Sequence, residues 1–119
     1  MEKDRLIHDY IVQCLIEKLQ KDYKEITENI TGQHRAVGTT WPDIVLANHG
    51  IVLAAVEVET EQTLSEVTAK KWKAIVEEGI KLIVLIPKDA KKKTTQLLWD
   101  QAIAEKVSIG TYELNIKMP

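Results

Sequence analysis

The segment IVLAAVEVET, residues 51–60, constrains this chain more than any other. It reads as a buried strand and then delivers two carboxylates, Glu57 and Glu59, one residue apart. A charge in an apolar interior costs several kcal/mol unless something pairs with it. Side chains alternate faces along a strand, so Glu57 and Glu59 point the same way, with Leu53 and Ala55. Val56 and Val58 face the other side. Any fold for this chain must therefore supply partners for two acids on one face of a core strand.

The preceding residues suggest where a third acid falls. PDIVLA, residues 42–47, is a short strand, and Pro42 suits its first position. NHG separates it from the glutamate strand. The glycine position predicts a three-residue loop: a type I turn at Asn48 and His49, then Gly50 left-handed in a bulge. Ala47 then pairs with Ile51, and Asp43 opposes Ala55, diagonal to Glu57 and on its face. A two-residue loop would turn Asp43 to the opposite face. Three carboxylates in one patch repel strongly at low dielectric. Protonation relieves that, and so does a hard divalent cation. Mg2+ takes one or two carboxylates together with waters and phosphate oxygens, so the patch suits a phosphate-ester site.

The rest of the chain reads as alternating helices and strands. Residues 3–20 repeat Leu6, Ile7, Tyr10, Ile11, Cys14 and Leu15 at helical spacing. Residues 23–30 are a weaker strand, and residues 31–41, with two glycines and three threonines, are a loop. Residues 63–78 form a helix that stops at Gly79. KLIVLI, residues 81–86, is a short continuous apolar strand closed by Pro87, the pattern of a strand covered on both faces. Residues 89–106 are a third helix and 107–114 a last strand. The order α-β-β-β-α-β-α-β predicts an α/β fold: one mixed central sheet flanked by helices.

At 119 residues the chain holds one domain, 1–119, with no linker or repeat. The composition, 45% hydrophobic and 29% charged, is that of a globular protein, and no apolar run is long enough for a membrane span. The start carries no signal-peptide core, and the single cysteine, Cys14, allows neither an internal disulfide nor a CxxC metal site. These features point to the cytoplasm. The net charge of −2 argues mildly against a dedicated nucleic-acid binder. The lysines nevertheless cluster at 70–73 and 88–93.

Asp43 after Pro42, then a turn, then VEVET, within α-β-β-β-α-β, resembles the PD-(D/E)XK nuclease superfamily with its restriction-endonuclease-like fold. The motif covers residues 42–60, and the element order extends the likeness over most of the chain. The resemblance implies a Mg2+- or Mn2+-dependent endonuclease hydrolysing phosphodiester bonds in DNA. It implies Asp43 and Glu57 as metal-binding acids, with the Val58 backbone carbonyl as a further ligand. The family's lysine falls on residue 59, which is Glu59 here. Glu59 then acts as general base, helps hold a second metal, or marks a catalytically inactive nuclease-fold module used for protein interaction or regulation.

A replacement cation is available on the next helix. At ~100° per residue the apolar stripe of residues 64–76 centres on Leu64, Val67 and Ile75, with Lys71 between them and Lys70 and Lys73 on the other side. On the resemblance Lys71 joins Asp43, Glu57 and Glu59 as a catalytic residue; the alternative is that it snorkels to solvent past the helix end. The loop entering the Asp43 strand offers His34, Arg35, Thr39 and Thr40 as contacts to a DNA backbone, with His34, Arg35 and Thr40 the stronger set. On the first helix Asp4 and Glu17 sit at the stripe's edges. His8 and His49 read as structural or solvent-facing, and Trp72 and Trp99 as core or interface anchors. A domain this small has little surface for sequence readout, which calls for a homodimer or a partner protein.

Overall fold

The computed structural model describes residues 2–114. It is an α/β fold: a five-stranded mixed sheet with helices on both faces. Helix α1 spans Glu2–Leu19, and strands β1, β2 and β3 span Glu25–Glu28, Ile44–Asn48 and Ile51–Val58. Helix α2 (Glu66–Val76), strand β4 (Lys81–Pro87), helix α3 (Lys91–Asp100) and strand β5 (Val107–Tyr112) complete it. The strands lie in sequence order; β1, β2 and β3 are an antiparallel meander, and β3, β4 and β5 run parallel. Among the described residues no helix is long and apolar enough to cross a membrane.

Strand alternation sends the core in two directions. Val45, Ala55, Leu82, Val84 and Ile86 pack under α2 and α3, around the fully buried Trp72. Ile44, Leu46, Ala54, Val56 and Val58 pack under α1, against Ile11 and Val12. Each large aliphatic so buried contributes roughly 1.5–3 kcal/mol. Strand β4 is buried on its α2 side and partly buried on the α1 side through Ile83 and Leu85, as its apolar run requires.

The hairpin departs from the expected three-residue loop. Asn48 pairs with Ile51, so the loop has two residues. His49 (φ 53) and Gly50 (φ 77) both take the left-handed conformation that a type I′ turn demands. A two-residue loop alone would turn Asp43 to the wrong face, yet it does not, because the ladder slips by one residue. Ala47 pairs with Val52, but Leu46 pairs with Ala54. Leu53 is the extra residue of a β-bulge and lies exposed at 43%. The bulge moves Val52 to the α2 face and keeps Ala54 on the α1 face. Continuing the ladder past Ile44–Val56 sets Asp43 opposite Glu57 rather than opposite Ala55.

Both long helices are rotated from the expected stripes. On α1 the inward residues are Ile7, Ile11, Val12, Leu15, Ile16 and Leu19, while Leu6 and Tyr10 are exposed. Cys14 is exposed too. Helix α2 begins at Glu66, capped by Ser65, whose side chain accepts the Thr68 N–H. Leu64 therefore lies outside the helix and cannot set its phase. The buried residues are Ala69, Trp72, Ile75 and Val76, and Val67 is 78% exposed. Gly79 (φ 83) ends the turn after α2 as expected. The third helix is shorter than 89–106: short 3-10 turns flank α3, and Ala102 (φ 58) breaks the chain between them.

Candidate functional site

The sheet topology gathers the site at one end. The start of β2 and the C-terminal ends of β3, β4 and β5 meet there, the end at which open α/β sheets carry their ligands. Helix α2 leaves from that end after β3, and α1 crosses it with its first turns. Asp43, Glu57, Glu59, Lys71 and His8 converge there.

Glu57 is 2% exposed, on the α2 face of β3. Lys71 Nζ lies 2.8 Å from its Oε1, and the Lys71 side chain is 38% exposed. The ammonium approaches off the direction of a hydrogen bond, so buried Oε1 has an ion-pair partner but no aligned donor among the described residues. The distance, not the missing alignment, sets the electrostatics, because Coulomb attraction depends little on angle. The ammonium also reaches the Trp41 carbonyl at 3.4 Å. Lys71 is thus at the edge of the buried face of α2 and reaches inward, rather than standing in its middle.

Asp43 is clamped from two sides. Its Oδ2 accepts the Val58 N–H at 2.8 Å and lies 3.0 Å from His8 Nε2. The other ring nitrogen of His8 is 2.8 Å from Asp9 Oδ1. Burial alone would lower the His8 pKa, but the hydrogen bond and charge of Asp43, with those of Asp9, push it up to about 9. Burial would raise Asp43, yet His8 and the Val58 N–H hold it below the usual carboxylate value. His8 is the residue that the sequence reading passes over. With the stripe placed on Leu6, Tyr10 and Cys14 it faces outward; with the true stripe it faces Asp43.

Glu59 is occupied. Its Oε1 accepts from the Thr63 hydroxyl at 2.8 Å and its Oε2 from the Trp72 indole N–H at 3.1 Å. Its N–H donates to the Leu85 carbonyl. The next donor on β4 would be Pro87, which has no N–H, and the Glu59 carbonyl instead accepts the Tyr112 hydroxyl at 2.8 Å. Burial and the neighbouring acids push that hydroxyl up to about 12. Burial raises Glu59 itself, against the lowering effect of Thr63 and Trp72. Glu57 is raised well above the ordinary value, first by burial and then by the Asp43 charge, with Lys71 opposing. Burial would lower Lys71, but Glu57 above all holds it above its ordinary value.

The loop residues have partners within their own loop and at the hairpin tip. Asn29 organises the loop, accepting the N–H groups of His34 and Arg35 and donating to the carbonyls of Arg35 and Pro42. The Arg35 guanidinium donates to the Gly50 carbonyl at the hairpin tip, the far end of β2 from Asp43. His34 Nε2 meets the Thr31 hydroxyl, and the Thr40 hydroxyl donates to the Val37 carbonyl. None of the three contacts the acids. Val58 is 1% exposed: its side chain fills the core under α1, and its N–H serves Asp43.

Access to Asp43 comes from the α1 side. A cleft of 350 Å3 is lined by Asp4, Arg5, His8, Asn29, Asp43 and Thr63. A larger one of 520 Å3 adjoins it across the ends of β3, β4 and β5, and Asp4, which accepts the Thr60 hydroxyl at 2.9 Å, belongs to both. Among the described residues no group of three or more His, Cys, Asp or Glu side chains is spaced to hold a metal ion by itself. Asp43 shares its cleft with Asp4 and Asp9, while Glu57 lines neither cleft and Glu59 is turned to Trp72 and Thr63.

The chain matches no protein-family model, no curated protein and no solved structure.

Proposed function

We propose that this chain is a metal-dependent nuclease-like domain that hydrolyses phosphodiester bonds in DNA. One observation carries the reading. The sheet brings Asp43 opposite Glu57, and Lys71 Nζ reaches Glu57 Oε1 from α2 at 2.8 Å. Two acids and a lysine are the groups that the PD-(D/E)XK pattern needs, and they meet although residue 59 is a glutamate. The α-β-β-β-α-β order with an antiparallel meander and a parallel β3–β4 pair supports the same reading.

Mg2+ or Mn2+ would be held by Asp43 and by Glu57, with the Lys71 ammonium giving way from Glu57 Oε1. Glu57 Oε1 is buried without an aligned hydrogen bond, and two donors on Oδ2 leave the other oxygen of Asp43. Two carboxylates, with the Val58 carbonyl at the same strand end, meet the needs of a small hard cation whose remaining ligands are water and phosphate oxygens. When bound, such a cation polarises the phosphate and acidifies an attacking water. The chain's own residues do the rest. His8 and the Val58 N–H fix the orientation of Asp43 and keep it ionised. Lys71 holds its charge beside Glu57 and steadies the negative charge that builds on the phosphate. Glu59 is no base in this arrangement; its oxygens hold α2 to the end of β3 through Trp72 and Thr63.

A second reading rests on the same cluster. Lys71 and His8 already compensate the acids and Glu57 is almost fully buried, which favours a nuclease-fold module for protein interaction or regulation. Incubation with supercoiled and branched DNA plus Mg2+ or Mn2+, beside Asp43→Ala, separates the two. Cleavage that disappears in the variant supports the enzyme. No cleavage on any substrate, with no Asp43-dependent Mn2+ binding in calorimetry, supports the module.

A further inference from the structure

The outer face of α3 carries groups that neither the core nor the acid site uses. The helix opens with Lys91, Lys92 and Lys93, has no acid in its first turn, and takes no side-chain cap from Ala90. Three adjacent cations at a helix N-terminus oppose both one another and the helix dipole. Among the described residues the lysine ion pairs engage Lys70, Lys71 and Lys88, and none of these three. A shallow cleft of 500 Å3 runs along the helix between Asp89, Lys92, Lys93, Gln96 and Leu97, with two lysines to its one acid. Further along the same face stands Trp99, 65% exposed. Residues 92, 96 and 99 are four and three apart, which places them in one row. Lys91 and Lys93 flank that row by ~100° on either side, and Trp99 leaves most of its indole to solvent.

We propose that this row and the lysines flanking it are a binding surface for single-stranded nucleic acid, with phosphates on Lys92 and its neighbours Lys91 and Lys93 and a base stacked on Trp99. The charge calls for a polyanion, and the flat indole calls for one that carries π-faces. From Lys92 to Trp99 the helix rises about 10 Å at ~1.5 Å per residue, a span of one to two nucleotides. The lysines follow β4 after the short turn Lys88–Ala90, at the sheet end that holds Asp43 and Glu57 but on the face opposite α1. The surface does not depend on the acid site being catalytic, and it is tested by binding alone.

The test uses the full chain with labelled oligo(dT)20 and, as a charge-only probe, polyphosphate of similar charge, titrated over a range of salt. Oligo(dT)20 should bind more tightly than polyphosphate. Lys91→Gln, Lys92→Gln and Lys93→Gln together should lower the slope of log K against log salt by about 2, at roughly 0.7 per phosphate on a single strand. Trp99→Ala should weaken binding roughly 5- to 100-fold, and Trp99→Phe should restore most of it. These side chains are exposed, so circular dichroism should show all variants folded. Absence of oligo(dT)20 binding overturns the proposal. So does polyphosphate binding equal to that of oligo(dT)20 with no effect of Trp99→Ala, which would make the face a site for acidic proteins. Cleavage assays on the same variants report on the acid site separately, because Asp43→Ala should abolish cleavage and leave oligo(dT)20 binding unchanged.

Discussion

Lys71→Met probes the pairing at the centre of the site, and its cost should depend on pH. Removing one partner of a buried ion pair typically costs about 3–5 kcal/mol, because the other charge is left uncompensated. Two features reduce that here. The Lys71 side chain is 38% exposed, so solvent already screens it. Glu57 can also take up a proton, since burial and Asp43 already hold its pKa well above the ordinary value. The variant should raise it further. Between the unfolded value near 4.5 and the folded value, the native state then holds a proton that the unfolded chain releases. Stability therefore falls as pH rises through that window. The expected loss is about 1–2 kcal/mol near pH 8 and close to zero near pH 5, after the discount for screening. At roughly 4 °C per kcal/mol for a domain of this size, Tm should drop by about 4–8 °C at the higher pH. Thermal unfolding of wild type, Lys71→Met and Glu57→Gln/Lys71→Met across that range measures it. In the double variant the pH-dependent part should vanish. An equal loss at both pH values, or a double variant as pH-sensitive as the single, would refute the claim that Lys71 compensates Glu57.

Trp72→Phe removes the donor to Glu59 Oε2 while filling most of the indole's volume; a hydrogen bond to a charged group is worth about 1.5–3 kcal/mol, and urea unfolding should show a loss of that order, with cleavage, if present, falling in kcat because α2 no longer holds Lys71 in place. Glu59→Gln can still accept from the indole and should cost less than Glu59→Ala in the same assay. Deleting Leu53 removes the bulge residue without changing any pairing from Ala54 onward, so Asp43 should still lie opposite Glu57 and Tm should shift by only a few degrees; amide cross-peaks linking residues 44 and 56 report the register. His8 should titrate at about 9 by NMR, against an ordinary 6.5, and Asp43→Asn should lower it; the stability that His8 contributes is complete below about 6.5 and lost as pH rises through about 9.

Periodicity located the elements better than it located their faces. Every strand and helix expected from the apolar runs exists, because runs such as KLIVLI and punctuators such as Gly79 and Pro87 are local signals. The helical faces are set by tertiary contacts. Along α1 two stripes share Ile7, Ile11 and Leu15; Leu6, Tyr10 and Cys14 extend one, and Val12, Ile16 and Leu19 extend the other. Only the sheet decides between them, and choosing the first turns His8 away from Asp43. On α2 the phase is lost by counting Leu64 as helical when Ser65 is the cap. The buried indole of Trp72 marks the true face, and it also accounts for a glutamate at position 59: a lysine there could not accept the indole N–H.

The acid pair survives a wrong loop because face depends on parity. The three-residue loop expected from Asn-His-Gly and the two-residue loop plus bulge both set Asp43 on the face of Glu57. The left-handed conformations of His49 and Gly50 choose the shorter loop, and Leu53 then absorbs the odd residue on the exposed side of the strand. A bulge leaves little trace in sequence, since its extra residue can be any that tolerates solvent. Its consequence is readable nonetheless. Without the slip, the run from Ala54 to Val58 would direct Val56 and Val58 at α2 and place Glu57 and Glu59 in the apolar layer beneath α1, against Ile11 and Val12, where Lys71, Thr63 and Trp72 could not reach them. Burial of those two charges without partners would cost several kcal/mol each, a large part of a domain's whole stability. With Leu53 in the strand, the bulge is the way the chain keeps those two glutamates on the α2 face.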